Sequence, residues 1–256
     1  LEFRRVLFRS DEDFFVINAK TTTAQIDKTL EILDEIINNA TFDDNEIEKK
    51  RSEILAKIKQ KRDVPMNIAL EDFKTLIFEN SVYSHTNKVL EKALPKVTRN
   101  NIIDYYNRIL DGKNVIVSIN GNVNPDKMIQ FFGNTLKTSS EPEFDYAKYS
   151  VTKLNAPKTT YKNIKDLQTA WLFMGWQVSG VQDKKDFVTL KVINTLMGSG
   201  LSSRLYRNLR ESDGLAYQLG SSYSPRMLGG TFIGYIGTNP STLEYSRKKM
   251  LDEING

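Results

Sequence analysis

Two side chains that could hold a peptide backbone, Arg210 and Tyr217, lie seven residues apart in the chain. A guanidinium fork and a phenolic hydroxyl can both donate hydrogen bonds to peptide carbonyls, which suits recognition that tolerates many peptide sequences. Both residues also have ordinary structural roles. An arginine at the C-terminal end of a helix stabilises the helix dipole by ~0.3–1 kcal/mol, and tyrosine is common in strands. Residue types alone leave both interpretations open.

The segment around this pair, residues 198–223, predicts a helix followed by a strand. Ser202 and Ser203 come after a pair of glycines, and either hydroxyl can cap the first turn of a helix. Gly214 can adopt the left-handed conformation that ends one. From Leu215 onward, larger residues alternate with smaller or polar ones, as in a half-buried strand. We therefore expect the arginine at the end of the helix and the tyrosine on the strand, joined by a tight turn.

This segment resembles the pitrilysin/insulinase family of zinc peptidases, which includes mitochondrial processing peptidase and bacterial relatives. The matching features are a glycine pair, an S-S-R-L sequence, an arginine and a G-L-x-Y sequence, here Gly198 and Gly200, Ser202 to Leu205, Arg210, and Gly214 to Tyr217. The resemblance implies that Arg210 and Tyr217 bind the substrate backbone from the wall opposite the zinc. It also implies repeats that are each an antiparallel sheet with helices on one face, paired around a substrate chamber.

The zinc site of that family needs residues that this chain lacks. The family uses H-x-x-E-H on a helix plus a downstream glutamate, whereas this chain has one histidine, His85, which we interpret as a surface or capping residue. On the helix predicted over 46–59, the resemblance places Lys57 at the third zinc ligand and Lys50 at a supporting glutamate. A charged ammonium has no lone pair for a metal. Glu53 could serve only if the helix register slipped by one turn, so we expect no metal ligand and no catalytic residue here.

The missing zinc site and the intact Arg210 and Tyr217 pair together predict a peptide-binding, non-catalytic component of a zinc metallopeptidase. Zinc would be held by another repeat or subunit of the same family. The expected partners are that zinc-bearing repeat or subunit and a peptide or unfolded protein substrate. Two alternatives stay open. The chain could be an interaction or core protein of the same fold with no peptidase role, or a fragment of an active metalloendopeptidase whose zinc motif lies upstream.

Composition argues against several other classes. The 256 residues are 39% hydrophobic and 27% charged, which is typical of a globular protein, and no apolar run approaches the ~18 residues of a membrane span. With no cysteine, a disulfide framework and thiolate chemistry are excluded. The net charge of +4 and pI near 9.0 would suit an acidic partner, but lysines and acidic residues are mixed along the helices. We therefore expect no nucleic acid among the partners.

Residues 1–10, LEFRRVLFRS, differ in character from the rest of the chain. The string from Arg5 to Ser10 looks like a translated sequencing adapter, and three arginines against Glu2 contribute half of the net charge. The alternative is a genuine basic N-terminal arm. Because adapter-derived sequence has had no chance to match a core, we expect residues 1–10 to pack on nothing and to be dispensable. The sequence would then be a fragment that begins within one repeat and stops within the next.

Two distant segments share one pattern. Residues 13–36 and 231–254 each contain an apolar strand, a cap rich in Thr and Asn, and a helix ending in Leu-Asp-Glu-Ile, which is modest evidence for a duplicated unit. We expect the C-terminal part of a first repeat over 11–136, a linker over 137–160, and the N-terminal part of a second repeat over 161–256.

Start and stop signals predict the other elements. Helices are expected from Thr41 to about Arg62, from Thr98 to near Gly112, from Pro125, and over 185–197, with strands over Val115 to Ile119 and over 169–175. Strands that alternate with helices indicate an α+β class. With the resemblance, we predict two incomplete repeats of an antiparallel sheet with helices packed on one face.

Overall fold

The computed structural model describes residues 5–139 and 149–256, and the chain forms two compact units. The first comprises Leu1–Ile54 and Lys92–Tyr146, and the second comprises Leu55–Glu91 and Ala147–Gly256. Residues 140–148, in the predicted linker, lie outside the described residues. Residues 149–169 contain neither helix nor strand. The repeat and linker boundaries given by the sequence stay predictions.

Helices and strands are mixed along the chain. In order they are β1 (Arg5–Ser10), β2 (Phe15–Lys20), α1 (Ile26–Asn39), α2 (Asp44–Arg62), α3 (Pro65–Ile77), α4 (Asn87–Ala93), α5 (Arg99–Ile109), α6 (Pro125–Thr135), β3 (Ala170–Val178), α7 (Lys184–Gly198), a π-helix (Tyr206–Ser212), β4 (Gln218–Ser224), β5 (Gly230–Thr238) and α8 (Leu243–Asn255). Both sheets are antiparallel, with strand orders β1–β2 and β3–β5–β4. This mixture confirms the α+β class.

The core of the first unit lies between α1, α6 and the β1–β2 hairpin. Leu30 and Leu33 of α1 and Met128 of α6 are buried together. Val6 and Ile17, from the two strands, pack against them. The hairpin therefore has one face that contributes to the core.

The expectation that residues 1–10 pack on nothing is wrong for Arg5–Ser10. Each residue of β1 is paired with a residue of β2. The Asp11 carboxylate stabilises the connecting turn by accepting backbone N–H groups from Asp13 and Phe14 at 2.8 and 3.0 Å. The physical reason is that strand pairing uses backbone groups, so any extended, partly apolar segment next to a strand can pair with it. The origin of this segment as adapter sequence stays a prediction.

The predicted strand from Val115 to Ile119 is not paired in the described residues. Its Ile116 side chain is 95% exposed, and Val117 and Ile119 are also exposed. β-branched residues favour an extended backbone, but a strand also needs the N–H and C=O groups of a neighbour. The sequence pattern indicated the extended segment and could not supply its partner.

The three-stranded sheet of the second unit carries its main core on one face. β5 lies between β3 and β4. Ile236 of β5 packs with Met250 of α8 and with Leu205 and Leu209 from the segment after α7. The antiparallel sheet with helices packed on this face agrees with the predicted arrangement, and α3 is an additional helix on the opposite face. On the other face, the ring of Phe73 in α3 packs against the ring of Phe173 in β3, with centroids 6.3 Å apart.

The two segments with similar sequences also fold alike. In each, a strand is followed by one 3₁₀ turn and then a helix, β2 with α1 and β5 with α8. In the described parts of the chain, no helix combines the length and the apolar character needed to cross a bilayer.

Candidate functional site

The arginine predicted to bind peptide lies on a helix that packs closely on the sheet. Leu205 and Leu209, four residues apart, are each 1% exposed, as their spacing predicts. The helix is a π-helix over Tyr206–Ser212, a form that the leucine spacing did not reveal. Two residues after its end comes Gly214, whose φ is +63°, and the Leu215 N–H donates to the Leu209 carbonyl at 2.8 Å. Single π-helical turns are rare in proteins overall, and those that occur are often found at functional sites.

Ion pairs attach both ends of this helical segment to α8. Arg204 Nε donates to Glu253 at 2.6 Å, and Lys249 Nζ lies 3.2 Å from the Asp213 carboxylate. Burial alone would raise the pKa of Glu253, but hydrogen bonds from Arg204 and Asn208 outweigh it and hold that pKa below its ordinary value. The hydrogen bond to Asp213 raises the pKa of Lys249. Both contacts therefore favour the charged forms of Glu253 and Lys249.

Arg210 and Tyr217 both present their side chains at the surface of the second unit. Arg210 is exposed, and its guanidinium carbon lies 5.2 Å from the ring centroid of Tyr206, a cation–π contact. Tyr217 is 64% exposed, while its backbone N–H donates to the Gly237 carbonyl at 2.9 Å. Within residues 5–139 and 149–256, no hydrogen bond or ring contact joins the two side chains. Hydrogen bonds hold the backbone near each residue, and both side chains are accessible to a ligand.

The two glycines before the π-helix are needed for different reasons. A Cβ on Gly198, at the end of α7, would lie 2.0 Å from the backbone nitrogen of Ser221 in β4. α7 can therefore approach β4 so closely only without a side chain at this position. Gly200 has a φ of +101°, a conformation that side chains disfavour. Together they turn the chain from α7 into the helix that carries the arginine.

The predicted serine cap is wrong. Ser202 is exposed, and Ser203 is buried with a hydroxyl that has no hydrogen-bond partner among the described residues. The Ser203 backbone begins the helical bonding, because its carbonyl accepts the Arg207 N–H at 3.0 Å. The turn after the glycines places this hydroxyl in the core, away from the orphan N–H groups. The following strand also begins later than predicted, at Gln218, because Leu215 belongs to the turn. Tyr217, expected on the strand, therefore lies immediately before it.

The described residues of this chain do not fit a zinc ion. In the two described ranges, no group of three or more His, Asp or Glu side chains could hold a metal. Lys57, at the position that the resemblance gives to the third ligand, is exposed, and so is His85. Glu53 forms an ion pair with Lys50 at 2.6 Å. These residues therefore do not form the ligand set that a catalytic zinc ion needs.

A large cavity lies elsewhere in the second unit. A cleft of about 2000 Å³ follows β3, between α3, residues 151–169 and the helices α7 and α8. Neither Arg210 nor Tyr217 lines it. Sequence analysis missed this cleft, because its walls come from segments that are far apart in the chain and carry no common motif.

Most of the chain matches relatives described as zinc proteases or their homologues. It is 28% identical over 239 residues to an uncharacterized zinc protease of Rickettsia felis, covering 92% of this chain and 56% of the relative. It is 23% identical over 243 residues to a non-peptidase homolog, YmxG, of Helicobacter pylori, covering 88% and 54%. It is 22% identical over 190 residues to the bovine mitochondrial-processing peptidase subunit beta, covering 72% and 37%. The chain spans little more than half the length of the first two.

Solved structures share this fold. A peptidase M16 inactive domain from Pseudomonas fluorescens superposes with a TM-score of 0.83 at 16% identity, and a chain of Complex III2 from Candida albicans with 0.74 at 15%; each match covers 98% of this chain and 61% of the other. Two family models match the sequence, insulinase (peptidase family M16) over residues 9–89 and peptidase M16 inactive domain over residues 96–256. Because the second covers more than half of the chain, the protein belongs to the peptidase M16 inactive-domain family.

Proposed function

We propose that this chain is a peptide-binding, non-catalytic component of an M16 zinc metallopeptidase. Arg210 and Tyr217 would donate hydrogen bonds to the backbone of a peptide or unfolded protein, while another repeat or subunit holds the zinc. The observation that carries the proposal is the combination of exposed donors with anchored backbones at this pair. Side chains on a supported backbone lose less freedom when they bind, which favours affinity.

The lack of fitting zinc ligands among the described residues supports a non-catalytic role. Lys57 at the expected ligand position cannot bind the metal while it is charged, and the described residues hold no alternative cluster. One relative is named a zinc protease and another a non-peptidase homolog, so relatives of both descriptions are similar to this chain. A zinc ion for peptide hydrolysis would have to come from another repeat or subunit.

The chemistry of the pair suits recognition of a peptide backbone. The guanidinium of Arg210 can donate from two nitrogens to one or two carbonyls. Its cation–π contact with Tyr206 restricts the orientations that it samples before binding. The Tyr217 hydroxyl adds one neutral donor. Such donors would fix the position of the scissile bond, and a misplacement of ~1 Å can cost about a hundredfold in rate.

Peptide binding by the purified full chain tests this proposal. The probe is a fluorescein-labelled unstructured peptide, and the measurement is fluorescence anisotropy. Arg210→Ala is compared with Arg207→Ala, which removes a second exposed arginine from the same helix. Tyr217→Phe is compared with Tyr105→Phe, which removes the hydroxyl of another tyrosine, 57% exposed.

Arg210→Ala should weaken binding by about 10- to 150-fold, because hydrogen bonds from charged donors contribute ~1.5–3 kcal/mol. Tyr217→Phe should weaken it by about 2- to 13-fold, from ~0.5–1.5 kcal/mol for a neutral donor. Both controls should bind as the wild type does. Equal binding by all four variants, or no saturable binding by the wild type, would favour the interaction-protein alternative. Zinc-dependent cleavage of the probe by the chain alone would favour the active-fragment alternative.

A further inference from the structure

A buried threonine supports the turn that connects the π-helix to Tyr217. Thr238, the last residue of β5, is 0% exposed. Its hydroxyl donates to the Leu215 carbonyl at 2.6 Å. Leu215 lies in the turn between Gly214 and Tyr217, so this side chain reaches from the sheet to the segment between the two proposed peptide-binding residues.

The Thr238 hydroxyl belongs to a group of buried hydroxyls. Its oxygen lies 2.9 Å from Thr242 Oγ1 and 3.2 Å from Ser246 Oγ, and Ser246 is also 0% exposed. A hydroxyl has one proton. Because that of Thr238 is directed at the Leu215 carbonyl, Thr238 can only accept from the other two hydroxyls. Ser246 can donate to it, whereas the single proton of Thr242 is shared between Thr238 and the Asn239 carbonyl, 3.1 Å away. The group therefore links α8 to the turn through one threonine.

Backbone hydrogen bonds hold the rest of this turn. The Leu215 N–H donates to the Leu209 carbonyl at 2.8 Å, which ties the turn to the helix of Arg210. The Tyr217 N–H donates to the Gly237 carbonyl at 2.9 Å, which ties it to β5. Gly237 and Thr238 are adjacent, so the end of β5 holds the turn through one backbone group and one side chain.

We propose that Thr238 is a positioning residue for peptide binding, because its hydroxyl holds the Leu215 carbonyl and so sets where Tyr217 stands relative to Arg210. This inference rests on the proposed function above. A binding pair is precise only when neighbouring hydrogen bonds and packing lock the residues that carry it. Because Tyr217 is 64% exposed, little packing holds its side chain. The position of its side chain therefore depends on the backbone of the turn.

The test replaces the hydroxyl without changing the shape of the side chain. Thr238→Val removes the donor, and Thr238→Ser restores it. Thr231→Val is the matched control, since Thr231 is a buried threonine at the other end of β5. Peptide binding is measured by anisotropy as above, with Arg210→Ala and Tyr217→Phe in the same series. Amide hydrogen exchange of Tyr217 reports whether the turn has loosened.

Thr238→Val should weaken binding by about 2- to 13-fold, the range for one neutral hydrogen bond, and should speed exchange of the Tyr217 amide. Thr238→Ser and Thr231→Val should bind nearly as the wild type does. Wild-type binding by Thr238→Val, while Arg210→Ala loses binding, would overturn this inference. Wild-type binding by Arg210→Ala and Tyr217→Phe would instead overturn the proposed function.

A second pair of variants covers the case in which Thr238→Val does not fold. Thr238→Ser and Thr238→Cys are similar in shape but differ in donor strength, because a thiol is a weak donor. Thr238→Cys should bind more weakly than Thr238→Ser. Equal binding by these two folded variants would overturn the inference.

Discussion

Replacement of Gly198 by alanine should destabilise the second unit, although alanine is the better helix former. The added Cβ would lie 2.0 Å from the Ser221 nitrogen and 2.6 Å from the Gly220 carbonyl carbon. The first distance is 1.4 Å short of the 3.4 Å at which ordinary contact begins. Both atoms belong to the backbone of β4, so no side chain can rotate aside and α7 must move away. Overpacking costs typically ~1–3 kcal/mol, and we expect about 3 kcal/mol.

Gly133→Ala is the matched control. Gly133 lies inside α6 and a Cβ there would meet nothing within 4 Å, so alanine should stabilise the helix by ~0.5–1 kcal/mol. Thermal unfolding followed by far-UV circular dichroism separates the two, because 1 kcal/mol shifts Tm by ~2–4 °C in a protein of this size. Gly198→Ala should lower Tm by about 6–12 °C and Gly133→Ala should raise it by about 1–4 °C. A Gly198→Ala variant as stable as the wild type would refute the close packing of α7 on β4.

Three further predictions follow from the same structure. Deletion of residues 1–10 should lower Tm by several degrees, because Val6 and the β1 pairing are lost; an unchanged Tm would restore the expectation that this segment is dispensable. The pKa of Glu253 is lowered in the folded protein, so its ionised carboxylate contributes stability at pH values above the ordinary pKa of 4.5. Wild type should therefore melt above Glu253→Gln at neutral pH, and this difference should vanish as the pH falls through the lowered pKa; a difference that persists at pH well below that point would contradict the ion pair. Elemental analysis of the purified chain should find no stoichiometric zinc. Tight zinc binding that depends on Glu53 and His85 would contradict the conclusion that the described residues form no zinc site.

Local sequence determined most of the helices and their ends. Thr98 and Asn101 form the reciprocal cap that begins α5, and Pro125 begins α6. Gly214, with a positive φ, comes two residues after the end of the π-helix. Each of these features depends on residues within a few positions of one another, so the sequence contains all that is needed to predict it. The choice of Arg210 and Tyr217 as candidates also came from local spacing, and their peptide-binding role stays a prediction.

Tertiary structure decided the features whose partners are distant in the chain. The burial of Ser203, which prevents the predicted cap, depends on the packing of its helix against the sheet. The hydrogen bond from Thr238 to Leu215 joins residues 23 positions apart. Strand partners are equally non-local, since the pattern over Val115 to Ile119 favoured an extended backbone that no described strand pairs with. The conformational preference of a residue depends on the residues next to it in sequence, whereas its contact partner depends on how the whole unit packs.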